Sequence, residues 1–368
     1  MKIINIVLTN RSGGLEQAFC DYSYNLKAMG HEVLAIVLAD APYQNQLQEI
    51  AINFLTIENK FGYYDFFAVN QIKNIIANFD ADAIISHAGR STFLAKKAIK
   101  KIKHRKIFQI AVNHSKNVKR SIGCDMIFSV NKEIFFQTID AGQPESRSFV
   151  IPNAINTSDI AQNNNSTSPV SNIANNHIIT IGTIGRLHFS KGFDLLIDSF
   201  IKISNEYNAH SFVLKIAGDG PELTKLQSMA KRLNSQKANS IQFLGWIENK
   251  ADFFNSIDIF VLPSRTEPFG IVLLEAMKFR KPIISTNCEG PREVITNNIN
   301  GILVDNKSSE DYITDGIKEA VIKIVENAEF TSKIINNGSI KLEKHYSFSA
   351  MQRNFAEFFN ITTKADKS

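Results

Sequence analysis

Short runs of β-branched and other apolar residues recur along the whole chain, and most are separated by a segment whose apolar positions repeat with helical period. Strands that read as continuous apolar runs are buried on both faces, and strands that alternate with helices pair in parallel. In the first half Ile3–Leu8, Glu32–Leu38, Ala83–Ser86, Ile107–Val112 and Met126–Val130 are predicted strands. In the second half they are Ile178–Ile184, Phe212–Ala217, Ile259–Leu262, Ile283–Thr286 and Ile302–Val304. The alternation breaks once, near residues 156–176, where Asn163-Asn164-Asn165-Ser166-Thr167-Ser168-Pro169 has the composition of a linker or long surface loop. The 368 residues therefore divide into two α/β domains, each a doubly wound parallel sheet, over 1–160 and 177–346, with a linker over 161–176. Residues 347–368 end the chain with a helix that Ser347 can cap, carrying Met351, Phe355, Phe358 and Phe359 on one side. That apolar face must dock, but the pattern does not say where.

Hydrophobic residues make up 44% and charged residues 21%, enough for each half to bury a core. A disordered, collagen-like or disulfide-scaffold protein is excluded. No apolar run approaches the ~18 residues that span a bilayer, and Met1-Lys2 leads straight into a first strand, so no signal peptide is expected. Cys20, Cys124 and Cys288 are too far apart for a metal knuckle or a disulfide framework, which points to a reducing cytosol. The net charge of +5 sits entirely in the first 153 residues, and residues 90–120 hold eleven Lys and Arg with no Asp or Glu. Lys96, Lys97, Lys100, Lys101 and Lys103 alternate there with Leu94, Ala98, Ile99 and Ile102 at roughly helical spacing. A solvated helix face accounts for this; contact with membrane headgroups or a phosphate-bearing substrate is the sharper reading. Nucleic acid is not expected, because no binding motif or interleaved aromatics accompany the charge.

Three stretches carry chemistry. Ser12-Gly13-Gly14-Leu15-Glu16 follows the first strand and opens a helix, where backbone N–H groups can meet an anion or simply make a tight turn. Gly185-Arg186-Leu187-His188-Phe189-Ser190-Lys191-Gly192 joins a strand to a helix. Arg186 and Lys191 there suit a diphosphate, the first as a fork and the second as a point charge. Glu267-Pro268-Phe269-Gly270-Ile271-Val272-Leu273-Leu274-Glu275 follows a buried strand, and Glu275 lies in so apolar a segment that it needs a partner or a hydroxyl-rich ligand. A salt bridge from either glutamate to Arg265 or Arg292 is the plain alternative. No G-x-G-x-x-G and no P-loop pattern occurs, and there is no His/Cys cluster, so neither a dinucleotide cofactor nor a metal is expected.

These stretches, together with Ile216-Ala217-Gly218-Asp219-Gly220-Pro221, Phe243-Leu244-Gly245-Trp246, Gly290-Pro291-Arg292-Glu293 and Asn300-Gly301-Ile302-Leu303-Val304, resemble in order and spacing the C-terminal domain of retaining glycosyltransferases of family 4 (group 1). The first half resembles the family through Gly13-Gly14, Glu16, His114 and Val150-Ile151-Pro152-Asn153. The resemblance implies a GT-B fold, two Rossmann-like domains facing across a cleft, and a retaining transfer from a UDP- or GDP-linked nucleotide sugar without cofactor or metal. It implies that Arg186 and Lys191 hold the diphosphate, that Glu267, Phe269, Gly270 and Ile271 meet the sugar, and that Glu275 meets the ribose. It also implies that Gly13 and Gly14 approach the distal phosphate, that Trp246 and Ile247 lie near the base, and that His114 faces the donor sugar. The last helix would cross back to the first domain. One departure is the absence of the usual glycine before Pro282, where Phe279-Arg280-Lys281 stands. His87 and Arg90, placed much as His114 is, are candidates for acceptor binding. The acceptor is expected to be a glycan or lipid-linked precursor of lipopolysaccharide or another surface polysaccharide, met by a cytoplasmic protein at an anionic membrane face. A sugar phosphorylase or sugar-phosphate transferase on the same fold, or a noncatalytic nucleotide-sugar-binding subunit, would share most of these residues.

Overall fold

The computed structural model describes residues 1–158, 178–207, 209–231 and 240–365. The linker expected over 161–176 lies outside the described residues. The chain forms two compact units, Met1–Ile155 with Tyr346–Ser368, and Asn156–His345.

The first unit holds strands β1 (Lys2–Val7), β2 (Glu32–Leu38), β3 (Asn53–Ile57), β4 (Ala83–His87), β5 (Phe108–Asn113), β6 (Met126–Ser129) and β7 (Ser148–Val150). They form one parallel sheet in the order β3-β2-β1-β4-β5-β6-β7. The second holds β8 (Ile178–Ile184), β9 (Ser211–Ala217), β10 (Ile241–Gly245), β11 (Ile259–Leu262), β12 (Ile283–Thr286) and β13 (Ile302–Val304), in the order β10-β9-β8-β11-β12-β13. Each order reverses once, between β1 and β4 and between β8 and β11. At such a reversal the loops leaving the carboxyl ends of the two strands turn to opposite faces, and ligands bind in the crevice between them.

Three strands escape the sequence pattern: β3, β7 and β10. All are sheet edges. An edge strand needs no continuous apolar run, and β3 exposes Asn53, Leu55 and Thr56 while β10 exposes Gln242 and Leu244.

The helix Phe348–Ala365 belongs to the first unit. Ser347 Oγ accepts the Ala350 N–H at 3.2 Å at its start. Met351, Phe355 and Phe358 are buried among Ile3, Tyr22, Ile85, Val112 and Phe128. Phe358 meets the Phe128 ring edge-on at 4.8 Å between centroids, and Phe355 meets Tyr22 at 5.0 Å. Each fully buried phenylalanine contributes about 1.5–3 kcal/mol. Where the chain leaves and re-enters this unit, Ile155 N–H donates to Tyr346 O at 2.9 Å and Phe348 N–H to Ile155 O at 3.1 Å.

The missing glycine before Pro282 has a simple structural counterpart. Helix Ile271–Lys278 ends in a turn where Lys281 N–H reaches Ala276 O and Arg280 N–H reaches Met277 O, which requires a left-handed residue. Arg280 supplies it at φ 54°, at the steric cost that a glycine would avoid.

Candidate active site

In the second unit the two loops that flank the strand-order reversal carry the expected cation and carboxylate. Arg186 follows β8, and Lys191 closes the short turn Phe189–Lys191 before helix Phe193–Glu206. Glu267 follows β11. Lys191 Nζ lies 2.6 Å from Glu267 Oε2, and the two side chains are 28% and 10% exposed. The partner of Glu267 is therefore Lys191, not Arg265 or Arg292. Arg186 is exposed, and its guanidinium pairs with no carboxylate among the described residues.

These loops are held by neighbours that the motifs do not announce. Arg265 makes a two-pronged ion pair with Asp194 at 2.7 and 3.0 Å and a further pair with Glu310. Its N–H and that of Thr266 donate to Ser190 O at 2.8 and 3.2 Å. The segment after β11 is thereby stapled to the turn that ends in Lys191. Burial alone would push the Asp194 carboxyl up, but the Arg265 guanidinium and Lys225 hold it below the usual range. Gly192 completes the turn at φ 64°, where a Cβ would lie 2.1 Å from Pro263 O. Gly290, from the loop after β12, donates its N–H to Glu267 O at 2.8 Å, and a Cβ there would strike the Phe269 backbone at 2.4 Å. Only glycine lets these backbones approach so closely.

The Gly218-Asp219-Gly220 turn braces Arg186 in the same way. Leu187 N–H donates to Asp219 O at 2.9 Å and Gly185 N–H to Ala217 O at 3.0 Å. Asp219 Oδ1 accepts the Gly220 N–H at 2.7 Å, which is the role of a turn residue.

Glu275 sits on helix Ile271–Lys278 among the buried Leu273, Leu274, Ala276 and Met277. Its partner is Lys250, at 2.6 Å, from helix Lys250–Asn255 after β10. Trp246, just past β10, is 64% exposed, and Ile247 is half-buried. Gly270 opens the Ile271–Lys278 helix at φ 84°, while Phe269 and Ile271 are buried beside it. The unit thus presents, on loops leaving one edge of its sheet, a free guanidinium, two Lys–Glu pairs and an exposed indole. That set can neutralise a diphosphate and meet sugar hydroxyls.

In the first unit the corresponding loops carry neutral groups. Gly13 caps helix Gly14–Ala28, and the buried Glu16 accepts the Thr9 hydroxyl at 2.6 Å. His87 is the last residue of β4, and Leu8 N–H reaches across the reversal to Ser91 Oγ at 2.9 Å. His114 follows β5. The two imidazoles lie edge to edge and 24° from parallel, 5.2 Å between centroids, with His87 Nδ1 2.9 Å from His114 Nε2. Burial pushes both down: His114 to about 4, and His87 well below its usual value, with His114 adding to the effect. Both are neutral near pH 7. His87 Nε2 is buried without a hydrogen-bond partner. An orphan lone pair costs less than an orphan N–H, so His87 carries its proton on Nδ1 and donates it to His114 Nε2. His114 then keeps its own proton on Nδ1.

This placement corrects two expectations. His87 has no exposed surface, so the contact expected with an acceptor is replaced by one with His114. Lys96 does not stand free on a solvated face, since it donates to Ile122 O at 2.8 Å and Arg120 O at 3.4 Å. Lys97, Lys100, Lys101 and Lys103 are exposed, and Arg90 is half-buried. One acidic triplet, Asp80-Ala81-Asp82, escapes the motif reading. It precedes β4, at the opposite end of that strand from His87, and its carboxylates are engaged by Arg105, with Asp82 Oδ2 also accepting the Lys2 N–H at 2.7 Å. Among the described residues no group of three or more His, Cys, Asp or Glu converges to hold a metal.

Fold and comparisons together give a glycosyltransferase of the two-domain type. The family model for glycosyl transferases group 1 matches residues 166–341, and that for glycosyltransferase family 4 matches residues 12–159. The chain belongs to this glycosyltransferase family and has its GT-B fold. HepE of Anabaena, solved in complex with UDP and glucose, superposes with a TM-score of 0.79 at 19% identity, covering 98% of this chain and 99% of that one. An uncharacterized glycosyltransferase of Methanocaldococcus jannaschii is 31% identical over 180 residues, 48% of this chain and 44% of the relative. The lipopolysaccharide core biosynthesis glycosyltransferase LpsE of Rhizobium meliloti is 29% identical over 169 residues, 46% of each chain. The matches thus span less than half the length of these two curated relatives.

Proposed function

We propose that this glycosyltransferase moves a sugar from a nucleoside diphosphate sugar to a lipid-linked or glycan acceptor, with retention at the anomeric carbon, in the assembly of lipopolysaccharide or another surface polysaccharide. The observation that carries the donor reading is the pairing of Lys191 with Glu267 beside the unpaired Arg186, on the two loops that flank the strand-order reversal. As the bond from the anomeric carbon to the phosphate oxygen breaks, its electron pair goes to the diphosphate. Arg186 and Lys191 stabilise that charge, and Glu267 holds sugar hydroxyls. Glu275 takes the ribose hydroxyls. The acceptor oxygen attacks the face that the leaving group departs from, and its proton passes to the departing diphosphate. UDP is the first nucleotide to test, because the HepE complex contains it. The LpsE similarity and the basic stretch of the first unit support an acceptor at an anionic membrane surface.

A thermal-shift panel of nucleoside diphosphates and nucleotide sugars tests the donor. A specific ligand at 100 times its dissociation constant stabilises by about 2.7 kcal/mol. NMR of the anomeric proton in the product then reads the stereochemistry. No shift with any nucleotide, or an inverted product, overturns the reading.

A further inference from the structure

Four aromatic side chains stand in solvent within seven residues of the first unit. Phe61, Tyr64, Phe66 and Phe67 are 64%, 85%, 61% and 71% exposed. They occupy the short turn Gly62–Tyr64 and the first residues of helix Phe66–Phe79. Single exposed apolar residues are ordinary, but a contiguous cluster marks a contact surface.

The exposure is built into the turn. Asp65, which is buried, caps the helix by accepting the Ala68 N–H at 2.9 Å and ties back the Phe61 N–H at 3.1 Å. Asn59 donates to Gly62 O at 2.9 Å and to Asp65 Oδ2 at 3.3 Å. Although burial works against its charge, these backbone donors hold the Asp65 carboxyl below the usual range. The turn is therefore pinned from beneath by an ionised group while its rings point outward.

The rings also adjoin the basic stretch. Helix Phe66–Phe79 packs along helix Ala88–Ile99, which touches the Gly62–Tyr64 turn as well. Lys101 Nζ lies 3.8 Å from the Phe66 ring centroid and donates to Asn70 Oδ1 at 2.8 Å. The Arg120 guanidinium lies beside the Tyr63–Phe93 ring pair, 5.1 and 4.9 Å from their centroids. Lys97 lies 5.5 Å from the Phe93 centroid. The exposed aromatics thus meet the lysine-rich stretch at Lys101.

We propose that this patch is a membrane-docking element: Phe61, Tyr64, Phe66 and Phe67 insert into the interfacial layer of an anionic bilayer while Lys97, Lys100, Lys101 and Lys103 bind its headgroups. Aromatic rings favour the headgroup level, and lysines near an anionic surface are drawn to it. The charge argues against a second copy as occupant, because a two-fold contact through this patch would bring lysines against their own equivalents. The proposal rests on the membrane-acceptor reading for its purpose, but docking is tested apart from transfer.

The test is co-sedimentation with phosphatidylcholine vesicles, with and without phosphatidylglycerol, in low salt and in about 1 M salt, where the screening length is about 3 Å. Wild type binds only the anionic vesicles at low salt and keeps part of that binding at high salt. The variant with Phe61, Tyr64, Phe66 and Phe67 all changed to Ser binds at least about tenfold more weakly, loses the salt-resistant part and retains nucleotide binding by calorimetry. Lys97, Lys100, Lys101 and Lys103 changed to Gln removes the preference for anionic lipid. Should the fourfold Ser variant fail to fold, Tyr64→Trp reports instead: its added emission shifts to the blue on vesicles and is quenched by brominated lipid. Wild type that ignores anionic vesicles overturns the proposal, as does undiminished binding by the Ser variant or unquenched Tyr64→Trp emission. So does a wild-type dimer that the Ser substitutions dissolve, which would make the patch a contact between copies. None of these outcomes bears on the donor site, whose failure shows as absent nucleotide binding.

Discussion

The two units share one winding scheme and use it for opposite chemistry. Both reverse strand order once, and both carry their candidate groups on segments that follow the carboxyl ends of strands. In the second unit those groups are charged and paired, Lys191 with Glu267 and Lys250 with Glu275, with Arg186 unpaired. In the first they include two neutral histidines joined edge to edge by a hydrogen bond and backed by Phe19 and Tyr22. The difference shows that topology fixes where a site can be, while the loop residues alone decide what it does.

Breaking the charged side of the comparison gives the largest effect. Arg186→Ala and Lys191→Ala are each expected to lower turnover by about two orders of magnitude or more, because each removes charge stabilisation worth ~3–4 kcal/mol in the transition state. Arg186 is exposed on its loop, so its loss leaves the melting temperature nearly unchanged. Steady-state kinetics on the folded double variant check this, and near-normal turnover would separate the cations from the chemistry.

The two glutamates sharpen the comparison within one unit. Glu275→Ala is expected to weaken nucleoside diphosphate binding about tenfold, the value of one hydrogen bond to a charged group. Glu267→Ala is expected to leave that binding nearly intact and to damage transfer, because the proposed function gives Glu267 the sugar hydroxyls. Calorimetry on both variants reads the difference, and equal losses would erase the division.

The smallest effect belongs to the histidines and is read in pH. His114, with a folded value of about 4, takes up its proton more readily in the unfolded chain, near 6.5, and His87 behaves likewise. The unfolded state therefore binds more protons between these values, and stability falls as pH drops from about 6.5 toward 4. Around His87 stand the rings of Phe19, Tyr22 and His114; no carboxylate pairs with either imidazole among the described residues. Replacing both histidines with Asn is expected to flatten that part of the pH–melting curve by a few degrees. An unchanged curve would mean that the pair is not buried neutral.

Sequence reading reached the central strands and the charged loops for the same reason. Strands buried on both faces, such as β1, β8 and β11, are mostly apolar, and glycine-flanked turns such as Gly185–Gly192 tolerate few alternatives. The edge strands β3, β7 and β10 carry no such constraint. The partners of the site were illegible because they are close only in space. Lys250 lies 25 residues from Glu275, and Asp194 lies 71 from Arg265. The His87–His114 contact spans 27 residues and shows no spacing signal, and only adjacency of β4 and β5 creates it. The aromatic turn at Phe61–Phe67 was missed because its phenylalanines look like core residues until burial is known.

The return of the last helix to the first unit has a consequence for how a ribosome makes this chain. Everything from Asn156 to His345 is an insert in the first unit's sequence. The first sheet is synthesised early, yet the helix that covers Tyr22 and Phe128 emerges only at the very end. At ~5–20 residues per second this leaves roughly ten to forty seconds in which a nearly finished fold waits with its aromatic seam uncovered. A message truncated before Ser347 is therefore expected to yield a second unit tethered to a first whose Tyr22 and Phe128 stay uncovered.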